Sequence, residues 1–230
     1  MLLPAFLLVG CAKSLTAEEA TAKMQQIKEK RAAEPLDEWK FEIDSVTKTD
    51  GVVAHETHVV YEYSLSKNFY HMAASGVESW AFAKDDKFYA LMAEGSNKEG
   101  YEFTGEQKTD FESYISSQVA SGSLKFAVYA NCDLPTLLEQ YVPVANPDLK
   151  YSTKGDGQLT VEYKYTGEIE GAQGSLEFKA VWNDYKPAEI SMSGTGEQAG
   201  IKMESSVAIK FAYSITPAYP DLTQFTLHHM

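Results

Sequence analysis

The sequence predicts an α+β domain: one large antiparallel β-sheet whose apolar face is covered by an amino-terminal helix and an inserted helical segment. Three observations carry this. Most of the chain alternates apolar and polar residues with the period of two that a half-buried strand requires. A capping sequence followed by an apolar stripe at helical spacing stands near the start. The alternation is interrupted between about Thr109 and Pro147, where the apolar spacing becomes helical.

The chain opens Met1-Leu2-Leu3-Pro4-Ala5-Phe6-Leu7-Leu8-Val9-Gly10-Cys11. This run is too short for a transmembrane helix, which needs about 20 apolar residues. An apolar run that ends in small residues is the core and cleavage site of a secretory signal; the alternative is a buried first strand or a fraying apolar end. Ala12-Lys13-Ser14-Leu15 is a short tether, and Thr16-Ala17-Glu18-Glu19 reads as a capping box. Ala17, Ala20, Met24 and Ile27 form one helical stripe, and Pro35 bars continuation.

From Trp39 the period is two. Trp39, Phe41 and Ile43 alternate with Lys40, Glu42 and Asp44, and Thr49-Asp50-Gly51 is a turn. Val59, Tyr61, Tyr63 and Leu65 give the next strand; Tyr70, Met72 and Ala74 another. Trp80 and Phe82 lead to a hairpin at Lys84-Asp85-Asp86-Lys87, and residues 88–93 return apolar on both faces.

In the insertion, Thr109-Asp110-Phe111-Glu112 is a second capping box, with Phe111, Tyr114, Ile115 and Val119 as the apolar face and Gly122 as the stop. Asp133-Leu134-Pro135 starts a short helix through Leu137, Leu138 and Tyr141, bounded by Pro143 and Pro147.

The second half alternates most regularly. Leu159, Val161, Tyr163 and Tyr165 share one face, as do Leu176, Phe178, Ala180 and Trp182. Ile190 and Met192 follow a turn, Gly194 to Gly200 reads as a glycine-rich loop, and Ile201 to Ile215 forms a long alternating strand. Short turns between successive strands imply antiparallel neighbours, about nine or ten strands in all. The expected layout is a signal peptide at 1–10, a tether at 11–15, a single domain at 16–222 and a tail at 223–230.

Over 230 residues the net charge is -13, which repels phosphate backbones and excludes nucleic acid as a natural partner. It also opposes adsorption to anionic lipid, so membrane attachment would need a covalent anchor.

Leu8-Val9-Gly10-Cys11 resembles the bacterial lipobox. It departs from that pattern in having no Lys or Arg ahead of a short apolar run. The resemblance implies a diacylated Cys11 on the extracytoplasmic face of a bacterial membrane. Two acyl chains would anchor firmly, at ~0.8 kcal/mol per buried methylene. The order of lipobox, amphipathic helix, strands, helical insertion, antiparallel strands and the tail Ile215-Thr216-Pro217-Ala218-Tyr219-Pro220-Asp221-Leu222 is similar to that of the LolA/LprG-type lipoprotein- and glycolipid-carrier superfamily. That likeness implies a curved antiparallel β half-barrel, its concave face covered by the amino-terminal helix and the inserted segment. It also implies an apolar cavity for acyl chains. The alternation assigns the lining to Met24, Ile27, Phe41, Tyr61, Tyr63, Trp80, Phe82, Leu159, Tyr163, Phe178, Trp182, Met192 and Met203. The same residues would otherwise fill a solid core, since interiors are close-packed.

Motifs for chemistry are lacking. His55-Glu56-Thr57-His58 has its histidines three apart in a strand, which puts them on opposite faces and not around one metal. Neither a Gly-x-Ser-x-Gly elbow nor a phosphate loop is present. Glu168 and Glu170 are a poor calcium pair. Cys132 lies among apolar stretches and reads as a small core residue. The expectation is a non-enzymatic envelope lipoprotein without cofactor or metal that binds or carries a lipid or other hydrophobic ligand. The alternative is a structural or sensory module that binds another protein and has a filled core.

Overall fold

A computed structural model of the chain describes residues 12–111, 113, 126–142, 147–169 and 172–229. Cys11 and the lipobox, Glu112, Tyr114, Ile115, Val119, Gly122, Pro143 and Glu170 lie outside them. Strand β1 (Lys13–Leu15) precedes helix α1 (Ala17–Ala33). Strands β2 (Glu38–Thr49), β3 (Val52–Ser64), β4 (Phe69–Ala74), β5 (Val77–Lys84), β6 (Lys87–Glu94) and β7 (Asn97–Phe103) form a meander. Helix α2 (Leu134–Tyr141) and a helical turn at 126–130 follow. A second meander comprises β8 (Lys150–Thr153), β9 (Leu159–Ile169), β10 (Ala172–Asn183), β11 (Lys186–Gln198) and β12 (Ile201–Ala212). The last strand is β13 (Thr226–His229).

All join one 13-stranded sheet in the order β1-β8-β9-β10-β11-β12-β2-β3-β4-β5-β6-β7-β13. The β12–β2 pairing welds the two meanders together, with Ile209 opposite Ile43 and Phe211 opposite Phe41. Five connections are two-residue turns with both central residues at positive φ: Asp50-Gly51, Ser75-Gly76, Asp85-Asp86, Asp184-Tyr185 and Ala199-Gly200. This backbone matches the twist of the flanking strands and fixes their register.

The expected curved half-barrel does not form. The sheet is open, is not strongly curled, and is mixed, because β13 runs parallel to β7. Curling a sheet takes bulges that bend its strands, and among the described pairings the register shifts only at Thr47/Lys48 and at Val181/Trp182. The strands beyond the expected nine or ten include β1, β8 and β13, of three or four residues each, too short to alternate visibly. The expected glycine loop is also corrected: Gly194 and Gly196 lie within β11, and only Ala199-Gly200 turns.

One face, here the inner face, carries the main core. Phe41, Leu159, Val161, Phe178, Ala180, Trp182, Ile190 and Ile209 pack there against Ala20 and Ile27 of α1, Leu134 and Leu137 of α2, and Phe126 and Tyr129. Thr16 caps α1: its hydroxyl accepts the Glu19 N–H, and the Glu19 carboxylate accepts the Thr16 N–H at 2.9 Å. In the insertion the first cap is Thr104, not Thr109; the Thr104 N–H donates to Gln107 Oε1 at 3.1 Å ahead of a 3-10 turn at Gly105–Gln107.

The opposite, outer face is covered in part. Phe69, Trp80, Phe82, Tyr89 and Leu91 form a second cluster under the carboxyl-terminal segment, which adds Ile215, Leu222, Phe225 and Leu227. Tyr219 meets the Phe69 and Phe82 rings, and Phe225 meets Trp80 edge-on.

Candidate functional site

Along β10, β11, β12 and β2 the inner-face residues shrink toward one end of the sheet. The row of Ala180, Ile190, Ile209 and Ile43 gives way to Phe178, Met192, Val207 and Ser45. Next come Leu176, Gly194, Ser205 and Thr47, and last Gly174, Gly196, Met203 and Thr49. The carboxyl end of α2 bridges this shallow end with Glu139, Gln140 and Tyr141. A trough of about 500 Å³ is left between them, lined also by Ile169, Ala172 and Gln198.

The three floor glycines serve different purposes. A Cβ at Gly174 would stand 2.1 Å from the Thr195 carbonyl oxygen, so close strand packing requires glycine there. A Cβ at Gly194 would make ordinary contacts, 3.4 Å and beyond, and one at Gly196 would meet nothing within 4 Å. Neither has a positive φ. Backbone geometry therefore does not demand glycine at Gly194 or Gly196, and glycine inside a strand costs about 0.5–1 kcal/mol relative to alanine.

The inner wall is Tyr141, whose hydroxyl pairs with that of Tyr129 at 3.0 Å and whose ring stacks near Phe178. Burial raises both phenol pKa values above the usual tyrosine range, so the pair stays neutral and offers no proton at ordinary pH.

Of the residues expected to line a cavity, Met192 and Met203 are at the trough. Ile27, Phe41, Leu159, Tyr163, Phe178 and Trp182 are buried in the main core, with Met24, Tyr61 and Tyr63 packed against it. Trp80 and Phe82 are in the outer cluster. The lining that the alternation missed is the small residues Gly174, Gly194, Gly196, Thr47 and Ser205. Their signal was present as the run Ser193-Gly194-Thr195-Gly196, once read inside a strand.

Among the described residues, no group of three or more His, Cys, Asp or Glu side chains could hold a metal ion. His58 pairs with Asp44 at 2.6 Å, and His71 with Glu62 at 2.9 Å. Lys40 joins Glu62 at 3.1 Å, and His71 stacks on Trp80 with ring centroids 5.2 Å apart. The hydrogen bond from His71 holds the Glu62 carboxyl below the usual range, with Lys40 adding to it. These groups lie on the outer face of the sheet, away from the trough.

Cys132 is a buried free thiol, and burial pushes its pKa up to about 12. A thiol is nucleophilic as its thiolate. Native protein is therefore expected to leave Cys132 unmodified by Ellman's reagent at mildly alkaline pH, with full modification after denaturation. Rapid labelling of the native state would contradict this burial.

Fold and trough together define an open-sheet α+β protein with an apolar, side-chain-poor recess on one face. No protein-family model matches the chain, and no curated protein matches it. Among solved structures, a LolA superfamily protein from Nitrosomonas europaea aligns over 86% of this chain and 94% of its own, at 11% identity and a TM-score of 0.20. At that identity and score the likeness assigns neither fold nor family. Among the described residues, no helix is long and apolar enough to cross a membrane.

Proposed function

We propose that this chain is a non-enzymatic envelope lipoprotein, held at an extracytoplasmic membrane face through Cys11, that binds the acyl chain of a lipid or similar hydrophobic ligand in the trough. One observation carries the reading: two strand positions, Gly194 and Gly196, omit side chains for which there is room. An unfilled recess forfeits packing of the kind the neighbouring main core makes. An occupant supplied from outside restores it. A volume of about 500 Å³ lies within the range of small-molecule sites, roughly 300–1,000 Å³. Leu176, Met192, Met203 and Tyr141 offer apolar and adaptable contacts, methionine above all. The Thr47 and Ser205 hydroxyls and Gln140 border the space together with Glu139 and Glu204, a rim that suits a polar end without negative charge.

The test is delipidated protein mixed with a fluorescent monoacylglycerol, alongside native mass spectrometry after mild purification. Saturable uptake at one site, or a co-purified lipid mass, is expected. Absence of both would remove the carrier reading in favour of a protein-binding module. Replacing Cys11 by alanine is expected to move the protein from the membrane fraction to the soluble fraction. Retention in the membrane would refute the acyl anchor.

A further inference from the structure

At its shallow end the trough runs out over two hairpin tips, β2–β3 and β11–β12. Asp50 of the first tip accepts the Lys202 N–H with its carboxylate at 2.9 Å and donates its own N–H to the Lys202 carbonyl at 2.8 Å. The two tips are thus locked side by side. They hold four of the eight strongly exposed large apolar residues among the described residues: Val52 (71%), Val53 (52%), Ile201 (49%) and Met203 (44%). Val52, Ile201 and Met203 share the trough face, and Val53 lies on the other, because it pairs with Lys48.

We infer that these paired tips form a lipid-docking rim, which dips into a bilayer of zwitterionic or uncharged headgroups at the mouth of the trough; because Lys13 pairs with Thr153 at the far end of the sheet, this bilayer is not the one to which Cys11 is tied. The inference rests on reading the trough as an acyl-chain site. A protein partner covers one face of a sheet, whereas apolar side chains on both faces of a rigid tip suit immersion in a surrounding medium. Met203 lines the trough, and Ile201 and Val52 stand beyond the lining on the same face, so the rim brings the bilayer surface to the trough mouth. Charge selects the lipid. Lys48 and Lys202 are outnumbered near the tips by Asp50, Glu56, Glu197 and Glu204, within a chain of net charge -13. An anionic surface is repelled, and the attraction is left to apolar burial.

The test uses the chain from Ala12 on, which holds every described element and lacks the acyl anchor, in flotation with phosphatidylcholine vesicles. Co-flotation is expected, equal at low and high salt, and weaker on phosphatidylglycerol vesicles. The double variant V52D/I201D changes only exposed side chains, and its flotation is expected to fall by roughly tenfold or more. Its circular dichroism and its uptake of soluble fluorescent monoacylglycerol should be unchanged. Wild-type protein that takes up the probe but does not float overturns the rim and leaves the trough reading standing. Loss of both overturns both. Flotation that high salt abolishes, or that the double variant retains in full, also overturns the rim.

Discussion

Trp182→Ala is expected to lower the unfolding free energy by about 3–5 kcal/mol, the range for deleting a fully buried large aromatic side chain. Trp182 is 0% exposed at the wide end of the inner face, and its indole N–H donates to the Tyr129 carbonyl at 2.8 Å. That bond ties β10 to the helical turn at 126–130, so the substitution leaves a cavity and also removes one of the two donors to the Tyr129 carbonyl, the Cys132 N–H at 3.1 Å remaining. Urea unfolding should show a lower midpoint at an unchanged slope. Trp182→Phe separates the two losses. It keeps most of the volume and loses one hydrogen bond to a carbonyl that retains another, at a cost of about 0.5–1.5 kcal/mol. If alanine and phenylalanine cost the same, the cavity contributes nothing and the core is looser than its packing implies.

Gly196→Leu is expected to abolish ligand uptake without loss of stability. The side chain enters open space, since nothing lies within 4 Å of its Cβ, and the backbone there needs no glycine. Removing a strand glycine stabilises by about 0.5–1 kcal/mol, and leucine adds contacts with the trough walls. Titration with fluorescent monoacylglycerol should give no saturable signal, while the urea midpoint stays level or rises. Gly174→Ala is the control: its Cβ would strike the Thr195 carbonyl at 2.1 Å, so the hairpin is disturbed. A Gly196→Leu protein that still binds would place the ligand elsewhere.

Much of the secondary structure was legible. The capping box at Thr16, the strand alternation from Trp39 and from Leu159, and the helix beginning at Asp133-Leu134-Pro135 all rest on local chemistry and all appear in the fold. The site was less legible because a trough consists of missing side chains. The residues with the strongest apolar pattern are those that close a core, so the expected lining falls largely within filled interior. The glycines that open the space gave a turn-like reading, because glycine in isolation favours turns as much as it weakens strands.

Alternation within a strand reveals which of its residues share a face, and no more. On β5, Ser79, Trp80, Ala81 and Phe82 are all buried, so both faces are covered and the pattern has no sign. Only the pairing of Tyr70 with Ala81 and of His71 with Trp80 assigns Trp80 and Phe82 to the outer face, under the carboxyl-terminal segment. By itself the sequence determined most of the longer elements, several of their turns and the acidic character of the chain, because these depend on neighbours a few residues away. The tertiary structure decided that the sheet stays open, that its two faces have separate cores, and that the small residues of β10, β11, β12 and β2 fall in line. Those features depend on register between strands as distant as β2 and β12, which no local pattern encodes.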